Sequence, residues 1–282
     1  MNTRTHPSPE TSNRAYAVGL ARAFGGALLF ALPLLMTMEM WALGFYVHPG
    51  RLLLFLALNF LVLVGLSRFG GFERTASLFE DVLDALAAIA VAIIASAAIL
   101  TLFGILTWDM KLDEIAGKVA IQAVPCSFGA MLARKQLSGG DTSDDEIQAE
   151  RTAGYAGQLF LMLAGALFLA FNVSPTEEMI LISYMMTPWQ AFLLILASIA
   201  VLDGFVYALG FAGQRDRPQG ISWASSFVRF SLVGYGIALL VSLYVLWTFG
   251  RSDGIPMAQL AITIVVLAFP AALGAAIARL VV

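Results

Sequence analysis

Residues 171–188 read FNVSPTEEMILISYMMTP, and this stretch interrupts an apolar segment that extends from about 158 to 187. As one straight helix, that segment would be roughly 45 Å long, more than the hydrocarbon core of a bilayer, which is about 30 Å thick. Ser174, Pro175 and Glu177 form a helix-start signal: a serine cap, a proline in the first turn and a glutamate three residues after the serine. We therefore predict a membrane span that is broken near Asn172–Pro175 and followed by a new helix.

The composition of the whole chain is that of a membrane protein. Of its 282 residues, 60% are hydrophobic and 12% are charged, against roughly 25% charged in an ordinary soluble domain. Apolar stretches of about 20 residues recur, each long enough to cross a bilayer as a helix. We predict an all-α polytopic membrane protein that contacts the lipid bilayer and binds no nucleic acid. Its eight transmembrane helices are predicted over residues 16–42, 51–69, 82–106, 114–134, 155–173, 189–211, 224–249 and 256–281.

The distribution of lysine and arginine predicts the orientation of these spans. With eight spans, both termini lie on one side, and that side carries most of the basic residues, so we expect it to be cytoplasmic. These residues are Arg4, Arg14, Arg22, Arg68, Arg74, Arg134, Lys135, Arg151, Arg215, Arg217, Arg229 and Arg279. The other side carries Arg51, Lys111, Lys118 and Arg251. We expect residues 1–15 to be a disordered polar lead and residues 135–154 to be a cytoplasmic linker.

The chain also contains an internal repeat. Residues 26–72 align with residues 165–211 without a gap at an offset of 139, and 14 of the 47 positions are identical, among them Thr-x-Glu-Met, a proline and several glycines. PCSFGAMLAR at 125–134 matches PAALGAAIAR at 270–279 at an offset of 145. We predict two parallel four-helix repeats, over residues 16–134 and 155–282, related by an axis along the membrane normal.

The repeat aligns two glutamates that lie inside apolar segments, Glu39 and Glu178. Intramembrane carboxylates are costly and indicate ion or proton pathways, and hard cations prefer oxygen ligands. Two alternatives stay open: capping alone explains Glu177 and is the favoured interpretation for it, and the aligned pair can be acids at matching helix ends near the outer interface. The predicted pathway residues are Glu39, Glu178, Glu177, Thr37, Thr176 and Asp203.

Charged residues near the cytoplasmic ends of the spans form a second group. The repeat places Arg229 opposite Asp84, so we predict a pair between them that closes an inner gate, with a pair that only fixes helix packing as the favoured alternative. Asn59 and Gln122 are mid-membrane amides that line a path or hydrogen-bond neighbouring helices. The sequence contains no HExxH, Cys/His cluster, GxSxG or phosphate-loop motif. We therefore expect no metal, no cofactor and no enzymatic activity.

Three stretches carry a family resemblance: GLARAFGGALLFALPLLMTMEMWALGFYVHPGRLLLFLALNF (19–60), EDVLDAL (80–86) and GKVAIQAVPCSFGAMLAR (117–134). They resemble an uncharacterised bacterial family of integral membrane proteins, over nearly the whole chain. Because the function of that family is unknown, the resemblance implies a multi-pass protein of the bacterial inner membrane and no site residues.

The residues themselves favour a membrane transport protein, either a secondary transporter or a channel for a cation or protons. The main alternative is a structural or accessory subunit of a membrane complex, without transport activity, in which the acids serve packing or partner contacts. A lipid-handling enzyme that uses carboxylates is a weaker alternative. The expected partners are a cation or proton, and either further copies of the chain in a homo-oligomer or another subunit of a membrane complex.

Overall fold

All regular secondary structure in the described residues is helical. The computed structural model describes residues 9–69, 77–136, 155–207 and 227–281, which form ten α-helices and one π-helical turn. The N-terminal half contains α1 (Pro9–Leu35), α2 (Met38–Tyr46), α3 (Pro49–Phe69), α4 (Leu78–Leu102) and α5 (Leu112–Gln136). The C-terminal half contains α6 (Tyr155–Val173), α7 (Glu177–Met185), α8 (Pro188–Tyr207), the π-helical turn (Phe227–Leu232), α9 (Val233–Thr248) and α10 (Met257–Val281).

Eight segments within the described ranges are long and apolar enough to cross a bilayer, which confirms the predicted number of spans. The 21 residues of α3, for example, are about 30 Å long at the rise of an α-helix, which matches the hydrocarbon core. The orientation of the termini stays a prediction. The eight spans are Ala17–Leu35, Pro49–Phe69, Leu78–Leu102, Leu112–Ala133, Tyr155–Val173, Pro188–Phe205, Phe227–Thr248 and Met257–Ala278.

The first span differs from its prediction, because the helix predicted over 16–42 is two helices. The chain leaves the helix at Met36 and Thr37, and α2 begins at Met38. Pro33 lies inside α1, two residues before the end of that helix. The Thr37 hydroxyl donates a hydrogen bond to the Pro33 carbonyl (2.6 Å) and so replaces the backbone N–H that would have continued the helix.

Two predicted segments fall partly outside the described residues. The polar lead was predicted over residues 1–15, but α1 begins at Pro9, so only residues 1–8 lie outside. The linker was predicted over residues 135–154, whereas α5 continues to Gln136 and residues 137–154 lie outside.

The fifth span is broken where the sequence predicts a break, between the end of α6 at Val173 and the start of α7 at Glu177. The predicted capping box, however, is wrong. The N-cap of α7 is Thr176, with an extended backbone, and no side chain caps this end. Because the helix begins later than expected, the Ser174 hydroxyl does not reach its first amides; it is fully buried and has no hydrogen-bond partner among the described residues.

Glycines set the closest helix crossings in each half. α1 packs along α5 at Gly26 and Gly129, where a Cβ on Gly26 would lie 2.5 Å from the Gly129 carbonyl oxygen. α6 packs along α10 at Gly165 and Gly274, where a Cβ on either residue would overlap the carbonyl oxygen of the other. In lipid, helices associate through such close packing rather than through hydrophobic burial, so these crossings hold each half together.

Phenylalanines fill the contact between the two halves. Phe55 of α3 packs edge-to-face on Phe171 of α6, with ring centroids 5.0 Å apart. Phe128 of α5 lies 6.1 Å from Phe168 and 5.9 Å from Phe171. Phe249, after α9, completes this phenylalanine cluster at 5.5 Å from Phe55. Such ring pairs add about 0.5–1.5 kcal/mol each beyond area burial, so the two halves form one packed body.

Candidate functional site at the two helix breaks

The two breaks place the candidate acids in matching positions. α2 and α7 are nine residues long, and each begins just after a broken span. Glu39 is the second residue of α2 and Glu178 is the second residue of α7. Because the N-terminal end of a helix carries a partial positive charge, both positions stabilise a carboxylate.

Side chains of the N-terminal half close the first break. The last carbonyls of α1 lack the amides of a continuing helix. The Thr37 amide bonds the Leu34 carbonyl (3.1 Å), and three side chains donate to the carbonyls of Pro33, Leu34 and Leu35. Thr37 donates to the Pro33 carbonyl (2.6 Å), Gln122 of α5 to the Leu34 carbonyl (3.0 Å) and the Trp41 indole to the Leu35 carbonyl (2.7 Å). These carbonyls are therefore satisfied by the protein itself.

An arginine closes the second break. The Thr176 hydroxyl donates to the Val173 carbonyl (2.9 Å), and Arg251, from the turn after α9, donates to the Pro175 carbonyl (2.9 Å). The Arg251 guanidinium also lies 3.8 Å from the Glu177 carboxylate, whose side chain is 74% exposed. Its Nε is buried without a hydrogen-bond partner among the described residues. A cation at the C-terminal end of α6 is stabilised by the dipole of that helix.

Neither Glu39 nor Glu178 has a hydrogen-bond or ion-pair partner within the described part of the chain. Glu39 is half-buried and Glu178 is exposed. The two short helices rest on different neighbours, since α2 packs against α5 and α7 against α10. Residues 9–69, 77–136, 155–207 and 227–281 contain no group of three or more His, Cys, Asp or Glu side chains arranged to hold a metal ion.

The residues predicted near the cytoplasmic ends make separate contacts. Asp203 of α8 accepts a hydrogen bond from Ser231 of the π-helical turn (2.8 Å), and Asp84 of α4 accepts one from Ser67 of α3 (3.4 Å). Arg229 has an exposed side chain, and its carbonyl accepts a hydrogen bond from the Tyr155 hydroxyl (2.9 Å). Within the described residues no ion pair joins Asp84 to Arg229, so the inner gate stays a prediction.

The two mid-membrane amides form interhelical hydrogen bonds. Asn59 of α3 donates to the Ser127 hydroxyl of α5 (3.1 Å), and Gln122 donates to the Leu34 carbonyl. The side-chain oxygens of both amides are buried and have no hydrogen-bond partner in the described part of the chain. Both residues therefore link helices, and each still presents a free acceptor in the interior.

A cleft of about 490 Å³ lies at the end of the molecule that we predict to be external. Arg51, at the start of α3, forms a bidentate ion pair with Asp253 (2.8 and 3.1 Å) and donates to the Trp247 carbonyl (2.9 Å). Its guanidinium also lies 4.9 Å from the centroid of the Trp247 ring. These hydrogen bonds lower the pKa of Asp253 below its usual value. We call this set the Arg51 clasp, because it joins the two halves.

Sequence reasoning missed the residues that close the breaks and the clasp. Trp41, Arg251 and Arg51 all lie near predicted span ends, where tryptophan and arginine are common without any special role. The available signal was charge: Arg51 and Asp253 are opposite charges on the same predicted side.

Eight apolar spans, all-helical structure and acids beside two broken helices define the class of the protein, which is a polytopic integral membrane protein in contact with the lipid bilayer. The chain belongs to the family described as "Putative integral membrane protein (DUF2391)", which matches residues 19–282. This confirms the family resemblance found in the sequence, whereas the bacterial inner membrane stays a prediction. No curated protein and no solved structure matches the chain.

Proposed function

We propose that the protein is a membrane transport protein, a channel or a secondary transporter, for a cation or protons. The observation that carries this proposal is the position of Glu39 and Glu178: each follows a helix break, and each lacks a partner within the described residues. Such breaks are typical of transport sites, and partnerless acids beside them are free to take a proton or a cation.

We infer that the two halves are copies of one four-span unit. The order of helices supports this, since each half has a span, a short helix and three further spans. The tight glycine crossings also recur, with Gly26 and Gly129 in one half and Gly165 and Gly274 in the other. Both third spans end in the same turn, at Gly104 (φ 73°) and Gly250 (φ 71°), with matching backbone hydrogen bonds to the preceding helix. On this basis Glu39 and Glu178 do the same task in the two halves.

The other predicted pathway residues have narrower roles in this proposal. The Thr37 and Thr176 hydroxyls donate to break carbonyls, and their oxygens remain acceptors that a cation near Glu39 or Glu178 can use. Glu177 lies beside Arg251 and balances its charge. Asp203 lies in the half of α8 nearer the predicted cytoplasmic end, and in this proposal it is the acid that a proton or cation meets there. Asp84 and Arg229 form the inner gate in a closed state.

The test is flux through purified protein in lipid vesicles, measured with a pH-sensitive dye and with monovalent and divalent cation tracers. We expect Glu39→Gln and Glu178→Gln each to reduce flux at least about tenfold while the yield of monodisperse protein is unchanged. Asp109→Asn is the matched control, because Asp109 is an exposed acid in the loop between α4 and α5 and belongs to neither short helix. Full flux in both glutamine variants would remove these acids from the mechanism.

A structural or accessory subunit of a membrane complex is the second candidate. Two observations favour it: the break carbonyls are bonded by the protein's own side chains, and the phenylalanine cluster packs the contact between the halves. A subunit of this kind would copurify with a stoichiometric partner and would give no flux of any tested ion on its own. Flux by the isolated protein would exclude this candidate. We propose no enzymatic activity in either case, and membrane fractionation of a bacterial host tests the location.

A further inference from the structure

The contact between the halves uses one face of α3 and one face of α6. On α3, Phe55 and Gly65 contact the other half: Phe55 packs on Phe171, and a Cβ on Gly65 would overlap the ring of Phe160. Phe69 lies 5.4 Å from the same Phe160 ring. Phe168 meets the rings of Phe30 and Phe128. We call these surfaces the α3 face and the α6 face.

The internal repeat places an equivalent of each face elsewhere on the same chain. At the offset of 139, the equivalent of the α3 face lies on α8, where Leu194 stands for Phe55 and Gly204 for Gly65. The equivalent of the α6 face lies on α1, where Leu32 stands for Phe171. Further positions of the α1 face are Val18, Gly25, Leu29 and Met36, which stand for Gly157, Ala164, Phe168 and Pro175.

These equivalent positions differ in burial, and the difference follows one stripe of each helix. Phe171 is 2% exposed, whereas Leu32 is 40% exposed. Pro175 is buried and Phe168 half-buried, whereas Met36 and Leu29 are 63% and 71% exposed. On α8, only 17% of the span is buried, the lowest share of the eight spans in the described chain. In the described part of the chain, the α1 face is therefore uncovered and the α8 face is covered only in part. Leu194 is half-buried against the core, whereas a Cβ on Gly204 would meet nothing within 4 Å.

A contact of this kind is heterologous, because one unit contributes the α3 face and the other contributes a different surface, the α6 face. α3 packs on α6, but α8 makes no comparable contact with α1 in the described part of the chain. In a heterologous assembly of like units, every unit has both of its contact surfaces covered only when the units close into a ring. The second copy of this chain is the molecule that carries the two complementary faces.

The charges near these faces are also complementary. Phe160 and Gly65 contact each other, and their equivalents are Ala21 and Gly204. Arg22 follows Ala21, and Asp203 precedes Gly204. A second copy packed in the same way would therefore bring an arginine and an aspartate close together at the predicted cytoplasmic end.

We propose that the protein is a homodimer in which the α8 face of each copy packs on the α1 face of the other. Two copies then form a ring of four like units, in which the contact between copies repeats the contact between the halves. This proposal rests on the duplication of the four-span unit inferred above and does not depend on transport. The homodimer can therefore be tested even if the transport proposal fails, and transport can be tested even if the homodimer fails.

Disulfide cross-linking in native membranes tests the predicted contact. In a Cys126→Ala background, Leu32→Cys with Leu194→Cys should give a covalent dimer under oxidation, because the equivalent Phe55 and Phe171 rings are 5.0 Å apart. Alanine is chosen because Ala271 stands at the equivalent of Cys126 in the other half. The control pair is Leu32→Cys with Leu240→Cys, since Leu240 of α9 is 69% exposed but lies on neither face.

Light scattering in mild detergent and subunit counting by photobleaching in bilayers give the number of copies. We expect twice the chain mass of 30.2 kDa, and the covalent dimer several-fold stronger for the Leu32/Leu194 pair than for the control pair. A monomer in both detergent and bilayer, with equal cross-linking of the two pairs, would mean that lipid covers these faces. A dimer without the Leu32–Leu194 link would overturn the assigned faces as well.

Discussion

In the N-terminal half the helix break is closed by neutral donors, Thr37, Trp41 and Gln122, whereas in the C-terminal half a charged side chain, Arg251, reaches the break from the turn after α9. The backbone path is the same in both, a long helix followed by a nine-residue helix. In both halves, side chains donate to the carbonyls that the break frees. The comparison teaches that the geometry of the break is shared and its chemistry is not.

Where the short helices cross their neighbours, α2 on α5 and α7 on α10, the charged contact is in the N-terminal half and the neutral one in the C-terminal half. In the N-terminal half, Gly44 of α2 lies against the backbone of Lys118, which forms an ion pair with Glu114 (2.7 Å). In the C-terminal half, Ser183 of α7 instead hydrogen-bonds Thr263 (3.0 Å) and Gln259 (3.2 Å) of α10. In the N-terminal half, neutral side chains close the break and an ion pair lies at the short-helix crossing. In the C-terminal half, a charged side chain reaches the break and neutral side chains lie at the crossing.

The glycine crossings, where the halves agree, give the largest expected effect. Gly165→Ala places a Cβ on the Gly274 carbonyl, so α6 and α10 must move apart, at a cost of about 1–3 kcal/mol or more. Gly26→Ala should cost a similar amount in the other half. Thermal unfolding in detergent measures both. Gly236→Ala is the control, since its Cβ would meet nothing within 4 Å and alanine favours the helix; equal stability of Gly165→Ala and Gly236→Ala would contradict the crossing.

The break itself, where the halves differ, gives the next effect. Arg251→Met leaves the buried Pro175 carbonyl without its donor and should cost about 1–3 kcal/mol. Lys111→Met removes an exposed cation from the loop before α5 and should have little effect. Gln122→Leu, which installs the residue found at the equivalent Leu267, should cost less than Arg251→Met, because the Leu34 carbonyl keeps the Thr37 backbone amide as a donor (3.1 Å). A melting temperature for Arg251→Met equal to that of Lys111→Met would show that the arginine does not hold this break.

The Arg51 clasp, which occurs once in the described chain and is not repeated between the halves, gives the smallest effect. This effect depends on pH. Binding to Arg51 lowers the pKa of Asp253, so the folded state favours the ionised carboxylate. The stabilisation is therefore present above the ordinary aspartate pKa of 3.8 and is lost as the pH falls through the lower, folded value. Asp253→Asn should melt slightly below the wild type near neutral pH, and the two curves should converge in acid. A gap that stays constant down to the acid limit would rule out this ion pair as its source.

The eight spans and the fifth-span break could be predicted, because both depend on local patterns: apolar runs of fixed length, and a serine, proline and glutamate in a helix-start order. The first break could not, because its sequence, LLMTMEM, contains no residue that must leave a helix. It forms through the Thr37 side chain and through donors on α2 and α5, and contacts between distant segments leave no local signal.

The capping prediction at Ser174 shows how a correct signal can give a wrong detail. Serine, proline and glutamate did mark the new helix, but the cap moved to Thr176 and left Ser174 buried. The acids Glu39 and Glu178 were found by alignment of the repeat, and their placement at matching helix starts follows from it. Their neighbours Trp41 and Arg251 required the three-dimensional structure, since nothing in sequence links Arg251 to Pro175.

The Arg51 clasp joins residues that are 202 positions apart, and this separation has a consequence for biosynthesis. At about 5–20 residues per second, Asp253 leaves the ribosome about 10–40 s after Arg51. During that interval the Arg51 guanidinium has neither Asp253 nor the Trp247 carbonyl to bind. The clasp can therefore form only after the seventh span, Phe227–Thr248, has been synthesised, so it is among the late contacts of the folding chain.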